Sequence, residues 1–170
     1  MTALYTPTKA SAFDHACFMN ARAIAADNSD DKDTPLGVLV VNNDGIVLAE
    51  GYNSLPAGVH AHPERTSRPT PATHADGDQG KYDWLNHAER KAVCHAARDG
   101  NALRGATMYA LLMPCMQCAQ AIIDAGIAEL VLDYAFTESY RSRGSRWEFD
   151  FQRVSTMLAE AGVRVRAVTL

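Results

Sequence analysis

No stretch of this sequence approaches the ~20 consecutive apolar residues that a bilayer-spanning helix requires, which removes a helical membrane protein from consideration. Basic charge is in deficit, with 16 Lys and Arg against 20 Asp and Glu and a net charge of −4. Long phosphate backbones select for basic faces, so a nucleic-acid polymer is not an expected partner. A small anion is still admissible, since a few local arginines hold one phosphate. Cysteine is sparse: Cys17, Cys94, Cys115 and Cys118. Met1 to Ser11 shows no basic region followed by an apolar run, so no signal peptide is expected. Metal ligation or free thiols then outweigh disulfides, and a reducing cytoplasm is the expected setting. Internal repeats and low-complexity tracts are also missing. What is present is an ordinary globular composition, 47% hydrophobic and 21% charged, in 170 residues. That length suits one domain, which can bury a core without covalent staples.

Along the chain, helical and strand patterns alternate. Residues 11–27 read as a helix with Phe13, Ala16, Cys17 and Ile24 near one face. Leu36 to Val41 is an apolar, β-branched run, and Asn43-Asp44-Gly45 before Ile46-Val47-Leu48 signals a hairpin. Residues 54–80 form an irregular insert holding Pro56, Pro63, Pro69 and Pro71, and a loop of that length inside a domain is usually functional or disordered. Residues 87–98 read as a helix closed by Gly100, 107–112 as a strand, 115–125 as a helix ended by Gly126, and 127–132 as a strand. Residues 148–161 form a helix with Phe151, Val154, Leu158 and Ala161 on one face, and 163–168 a last strand. The alternation predicts a three-layer α/β domain over residues 1–170.

The chemistry concentrates in His87-Ala88-Glu89 and, 24 residues on, Pro114-Cys115-Met116-Gln117-Cys118. Pro114 stands where a strand gives way to a helix, a favoured place for proline. Cys115 and Cys118 are three apart and share a helix face. At a helix N-terminus both thiols are acidified, which makes thiolates available to a metal. His87 opens another helix after a loop. Two thiolates and one imidazole give three ligands and leave a fourth position open, the pattern of a catalytic zinc site rather than a closed structural one. Glu89, two residues after His87, is badly placed to ligate but well placed to shuttle protons. A chance Pro-Cys-x-x-Cys is expected about 0.004 times in a chain of this composition.

His-x-Glu followed by Pro-Cys-x-x-Cys is the signature of zinc-dependent nucleobase deaminases. The chain resembles the deoxycytidylate (dCMP) deaminase branch of the cytidine deaminase-like superfamily. Other similar stretches are Leu36 to Val41, Gly51-Tyr52-Asn53-Ser54-Leu55-Pro56, Lys81-Tyr82, Gly105 to Tyr109 and Ala121 to Ile127. The resemblance implies a three-layer αβα fold around a five-stranded mixed sheet, Zn2+ held by His87, Cys115 and Cys118, and Glu89 as the proton carrier. It implies further that Asn53 binds the sugar, that the Ala88 backbone N–H holds the base carbonyl, and that Pro114 belongs to the substrate-binding surface. The expected reaction takes dCMP to dUMP and ammonia in a homo-oligomer, dimer or hexamer. Four positions depart from the branch: Ser54 where glycine is usual, Val38 for alanine, Lys91 for asparagine, and Phe136 for a tyrosine.

Plainer readings stand beside these. Asn86 to Glu89 scans as a capping box with Asn86 as N-cap. Asn53 suits a turn. His60, His62 and His74 in the insert could form a second metal site with a cysteine, but solvated loop histidines are preferred. Cys17 and Cys94 fall on apolar faces and read as buried core thiols. Arg141, Arg143 and Arg146 crowd what reads as a loop after the strand at 127–132, a charged turn or a substrate-phosphate clamp; Arg65, Arg68 and Lys81 are rival phosphate ligands. Two other functions stay open: the same chemistry on a free base, nucleoside, modified pyrimidine or purine, and a non-catalytic zinc-stabilised binding module.

Overall fold

The computed structural model describes residues 4–72 and 74–170, with the backbone alone at Ser145; Met1–Ala3, part of the stretch read for a signal peptide, and Thr73 in the insert lie outside the described residues. The apolar run at Gly37–Val41 forms β2, whose five residues are all buried. Burial on both faces explains why this run is continuously apolar rather than alternating. Residues 42–46 reverse the chain, with the Asn42 carboxamide oxygen accepting the N–H groups of Asp44 and Ile46. β3 (Val47–Tyr52) returns antiparallel to β2. β4 (Thr107–Ala110) lies antiparallel on the other side of β2, and β5 (Glu129–Asp133) and β6 (Arg164–Thr169) follow in parallel.

The sheet has six strands rather than the expected five, in the order β1-β6-β5-β4-β2-β3. The additional one is β1 (Thr8–Lys9), two exposed residues paired parallel to β6. So short and polar a segment carries no alternation for a sequence pattern to show.

Side chains alternate across the sheet with the period of two that a pleated strand dictates. Val38, Val40, Met108, Ala110, Leu130 and Leu132 face one side, where they pack with α4 (Ala88–Asp99), α5 (Met116–Asp124) and α7 (Ser145–Glu160). Leu39, Val41, Tyr109 and Val131 face the other side and meet Cys17 and Phe18 of α1 (Ala12–Asn28). This is the expected three-layer αβα arrangement. On α7 the buried residues Phe151, Val154 and Leu158 recur at helical spacing.

Two glycines set how closely the helices approach. A side chain at Gly37 would collide with the Ala21 carbonyl of α1, and one at Gly51 with the Ala88 carbonyl and the Ala92 nitrogen of α4. Gly51 therefore brings the first turn of α4 against the end of β3, next to Asn53.

The insert is more ordered than its composition suggests. It holds α2 (Pro63–Thr66) and closes in α3 (Lys81–Trp84). The stretch after β5, expected to be a loop, is α6 (Tyr134–Arg141), capped by the Asp133 carboxylate, which accepts the Phe136 N–H. Arg141 ends α6 and Arg146 lies in α7, so these arginines are held on helices. Among the described residues no helix is long and apolar enough to cross a membrane.

Candidate active site

Strand registers place the ends of β3 and β4 and the start of β2 at one edge of the sheet: Gly37 opposes Tyr52, and Val38 opposes Ala110. Crevices at the carboxyl ends of strands are where α/β sheets build ligand sites. Here the chain leaves β4 through Leu111–Pro114 into α5, and α4 begins beside β3. Two helix N-termini thus converge on one point.

His87 is the N-cap of α4 and Cys115 the N-cap of α5, and neither side chain caps its own helix. Asn86, expected as the cap, instead forms a β-bridge with Ser54, and this moves the helix start to the histidine. Cys118 sits in the first turn of α5, where the helix dipole favours a thiolate. His87 Nδ1 lies 3.5 Å from the sulfur of Cys115 and 3.5 Å from that of Cys118. All three donor atoms fall within 4.8 Å of one another.

That spacing tests the zinc expectation directly. With Zn–S near 2.3 Å and Zn–N near 2.0–2.1 Å, the edge of a tetrahedron between nitrogen and sulfur is about 3.6 Å. The residues fit the ion in chemistry and in size. No other His, Cys, Asp or Glu joins the group among the described residues. The closed four-ligand cage of a structural zinc module is therefore not formed by these residues. His60, His62 and His74 contribute to no second cluster among the described residues.

Glu89 follows His87 by two residues and is buried, 6% exposed. Burial pushes its carboxyl above the usual range, and the charge of His87 only partly opposes that. The two thiols share a negative charge unequally. A hydrogen bond from Cys118, and against burial one from His87, hold the Cys115 thiol down to about 3. The Cys118 thiol is pushed up because Cys115 takes the charge. His87 is raised in turn by its hydrogen bond to Cys115, with burial opposing. A bound divalent cation favours both thiolates and the neutral imidazole together, which removes this competition.

Asn53 is buried beside the start of α4. Its Oδ1 accepts the Ala88 N–H at 3.0 Å, and its Nδ2 donates to the Thr34 carbonyl at 3.2 Å. Asn53 thus caps α4 from outside the helix, and the two groups expected to contact substrate satisfy each other in this structure. Pro114 is buried immediately before Cys115. Arg90 donates to Gln117 at 3.1 Å, linking the first turn of α4 to the segment between the two cysteines.

Around Asn53 lies a polar shell that was not legible in advance. The Asp30 N–H and the Ser29 hydroxyl both donate to the Asn53 carbonyl. Lys91, buried, donates to the Ser54 hydroxyl and the Leu55 carbonyl. The Tyr140 hydroxyl reaches Thr34 Oγ1 at 3.4 Å, while Phe136 packs on Tyr140 with ring centroids 5.4 Å apart. Ser54 and Lys91, each marked as a departure from the family pattern, are thus partners.

Most of the expected phosphate ligands are engaged elsewhere. Lys81 is buried against Asp31 at 2.7 Å and Asp33 at 3.3 Å. Arg68 pairs with Asp33, and Arg65 lies 4.3 Å over the Trp84 ring. Arg141 is gripped by Glu138 and Glu148. Arg143 stacks on Tyr140, and Arg146 is 92% exposed. Cys17 is buried as expected, but Cys94 is exposed, because it lies on the face of α4 opposite Ala92 and Ala96.

Comparison with known proteins agrees with this geometry. A family model for the cytidine and deoxycytidylate deaminase zinc-binding region matches residues 12–133. The deoxycytidylate deaminase of Pongo abelii is 30% identical over 139 residues, covering 81% of this chain and 75% of that protein. The human deoxycytidylate deaminase is 31% identical over 114 residues, 67% of this chain and 61% of the human protein. The phage T4 deoxycytidylate deaminase is 30% identical over 156 residues, covering 74% and 75%. The fold is shared with the dCMP deaminase of cyanophage S-TIM5 solved with dCMP and dUMP, at a TM-score of 0.66, 21% identity and coverage of 94% and 99%. With the zinc-binding region matched across both ligand helices, the chain belongs to the cytidine and deoxycytidylate deaminase family, on its deoxycytidylate deaminase branch.

Proposed function

We propose that this chain is a zinc-dependent hydrolytic deaminase that converts a cytosine nucleotide, dCMP first, to the uracil nucleotide and ammonia. The observation that carries the reading is the triangle of His87, Cys115 and Cys118 within 4.8 Å, with the buried Glu89 two residues from the histidine.

When bound, zinc supplies a water acidified toward neutrality. The protein's own groups do the rest. Glu89 accepts a proton from the attacking water and delivers it to the ring nitrogen beside the reacting carbon. It then transfers the second proton to the departing amine, so that water and the cytosine amine become the uracil carbonyl and ammonia. A carboxyl whose affinity for protons is raised by burial suits both halves of that task. Asn53 binds the sugar, the Ala88 N–H holds the base carbonyl, and Pro114 lines the site. Because Ala88 donates to Asn53 in this structure, binding exchanges that hydrogen bond for two contacts to substrate. The same reading includes a homo-oligomer, dimer or hexamer, which light scattering on the purified protein measures.

A second substrate is favoured by one observation. Lys81, Arg68 and Arg141 all lie in ion pairs, which leaves few cations to meet a phosphate. That points to an unphosphorylated cytosine compound. Ammonia release from cytosine, cytidine, deoxycytidine, CMP, dCMP, adenine and guanine separates the two. The expected result is the highest kcat/KM on dCMP. A preference for an unphosphorylated compound removes the dCMP assignment, and no release from any of them by zinc-loaded protein removes the deaminase reading.

A further inference from the structure

Two polar residues 37 positions apart, Ser54 and Lys91, meet beside the substrate side of the site. Lys91 lies one turn along α4 from His87, and only 9% of it is exposed. Its Nζ donates to the Ser54 hydroxyl and, at 3.1 Å, to the Leu55 carbonyl. It stands 4.7 Å from the centroid of the Tyr52 ring, within cation–π range. A buried ammonium is retained only where its donors are met and a negative charge or dipole faces it. The Ser54 oxygen, the Leu55 carbonyl and the tyrosine face meet those needs, and the Asp30 carboxylate, in the connection after α1, accepts the Leu55 N–H at 2.9 Å. The contacts made by Lys91 itself fall on residues 52–55, on both sides of Asn53.

We propose that Lys91 is a positioning residue for the deamination: its buried ammonium clamps residues 52–55 onto α4 and so fixes the Asn53 carboxamide at the start of the helix that carries His87 and Glu89. Before substrate binds, the segment is held to the start of that helix at three points. Asn53 Oδ1 takes the Ala88 N–H, Ser54 exchanges backbone hydrogen bonds with Asn86 at 3.1 and 2.8 Å, and Lys91 closes the clamp from the far side. Asn86 directly precedes His87, while the contacts of Lys91 itself fall on the sugar-side segment. A hydroxyl at position 54 and an ammonium at position 91 form one device. The inference rests on the reading of Asn53 as a substrate contact.

The test compares wild type with Lys91→Met, Lys91→Arg, Ser54→Gly and the Lys91→Met/Ser54→Gly double variant. Each is measured for zinc content, Tm, and kcat and KM on the best compound of the substrate panel. The expected result is a KM raised about tenfold in Lys91→Met with kcat and zinc content within about twofold of wild type. Lys91→Arg recovers most of that loss, and Ser54→Gly alone raises KM about threefold. The double variant is no worse than Lys91→Met, because both changes open the same clamp. A Lys91→Met that loses Tm but keeps its KM overturns the proposal and leaves the lysine a packing residue. If Lys91→Met does not fold, Ser54→Gly decides: an unchanged KM there overturns it as well. A wild type inactive on every compound refutes the parent reading instead.

Discussion

Two buried carboxylates, each in the first turn of a helix, have opposite surroundings. Asp14, in α1, is 3% exposed, and Glu89, in α4, is 6% exposed. Around Asp14 every lone pair has a donor. Arg166 reaches it with both terminal nitrogens, at 3.0 and 2.8 Å, Tyr109 with its hydroxyl at 2.9 Å, and Ser11 with its N–H and hydroxyl at 2.8 Å each. Burial opposes the charge, but these donors, Arg166 foremost, hold the carboxyl well below the ordinary carboxylate range. Burial wins at Glu89, whose neighbours are an imidazole and two sulfurs that a cation claims, and its carboxyl is pushed up. A carboxylate locked as an anion holds a structure together. One whose affinity for protons is raised suits proton transfer.

The sharpest break in this comparison comes from taking away the cation's place. Cys115→Ala is expected to leave less than about a tenth of an equivalent of zinc after dialysis, and to abolish turnover with it. Metal analysis beside the ammonia assay reads both. Next in size, Glu89→Gln keeps the zinc and lowers kcat by about two to four powers of ten. Full zinc with wild-type turnover in Glu89→Gln would remove Glu89 from the proton path.

Asp14→Asn works at the other end of the comparison. It strips the Arg166 fork of its counter-charge and is expected to destabilise the fold by about 2 kcal/mol, less than for a wholly buried pair because Arg166 is itself partly exposed. At this chain length that is a fall in Tm of about 4–8 °C, with kcat unaltered. The sign with pH follows from the depressed carboxyl. Its contribution is complete above the unfolded-state value near 3.9 and is lost as pH falls below it toward the folded value. The Tm difference between wild type and Asp14→Asn should be flat at neutral pH and shrink below about pH 4. A difference that grows in acid would mean that Asp14 is not held as an anion.

How much of this was legible in the sequence depended on separation along the chain. His87, Glu89, Cys115 and Cys118 declare themselves because their spacing within each helix start is itself the chemistry. The three layers were legible because helical and strand patterns alternate along the chain. What escaped was set by partners far apart. Nothing near Lys91 announces Ser54, and nothing near Arg141 announces Glu148 as a second partner. Asn86 carries a cap signal that the bridge to Ser54 overrides. Cys94 read as apolar-face because α4 is rich in alanine, yet Ala88, Ala92 and Ala96 define the buried side and Cys94 lies across the axis. α6 was hidden by Ser139, Ser142 and Gly144, turn-forming residues that cluster at its end.

The smallest expected effect tests whether charge or burial decides what an arginine does. Arg141 and Arg146 stand five residues apart and looked equivalent as candidates for a phosphate clamp. The Arg141 side chain is 8% exposed and is fixed by Glu138 and Glu148, each at 2.5 Å. That of Arg146 is 92% exposed, with one carboxylate, Asp150, at 3.9 Å. Removing Arg141 leaves two half-buried carboxylates facing each other between α6 and α7, and Arg141→Ala is expected to cost about 2 kcal/mol in urea unfolding. An exposed ion pair at the limit of contact contributes next to nothing, so Arg146→Ala should leave Tm unchanged. KM for dCMP in these two variants then separates structure from binding. A raised KM in Arg146→Ala, at unchanged stability, would identify the exposed arginine as a phosphate contact and weaken the second substrate reading. An unchanged KM in both would leave the ion-paired cations outside the substrate site.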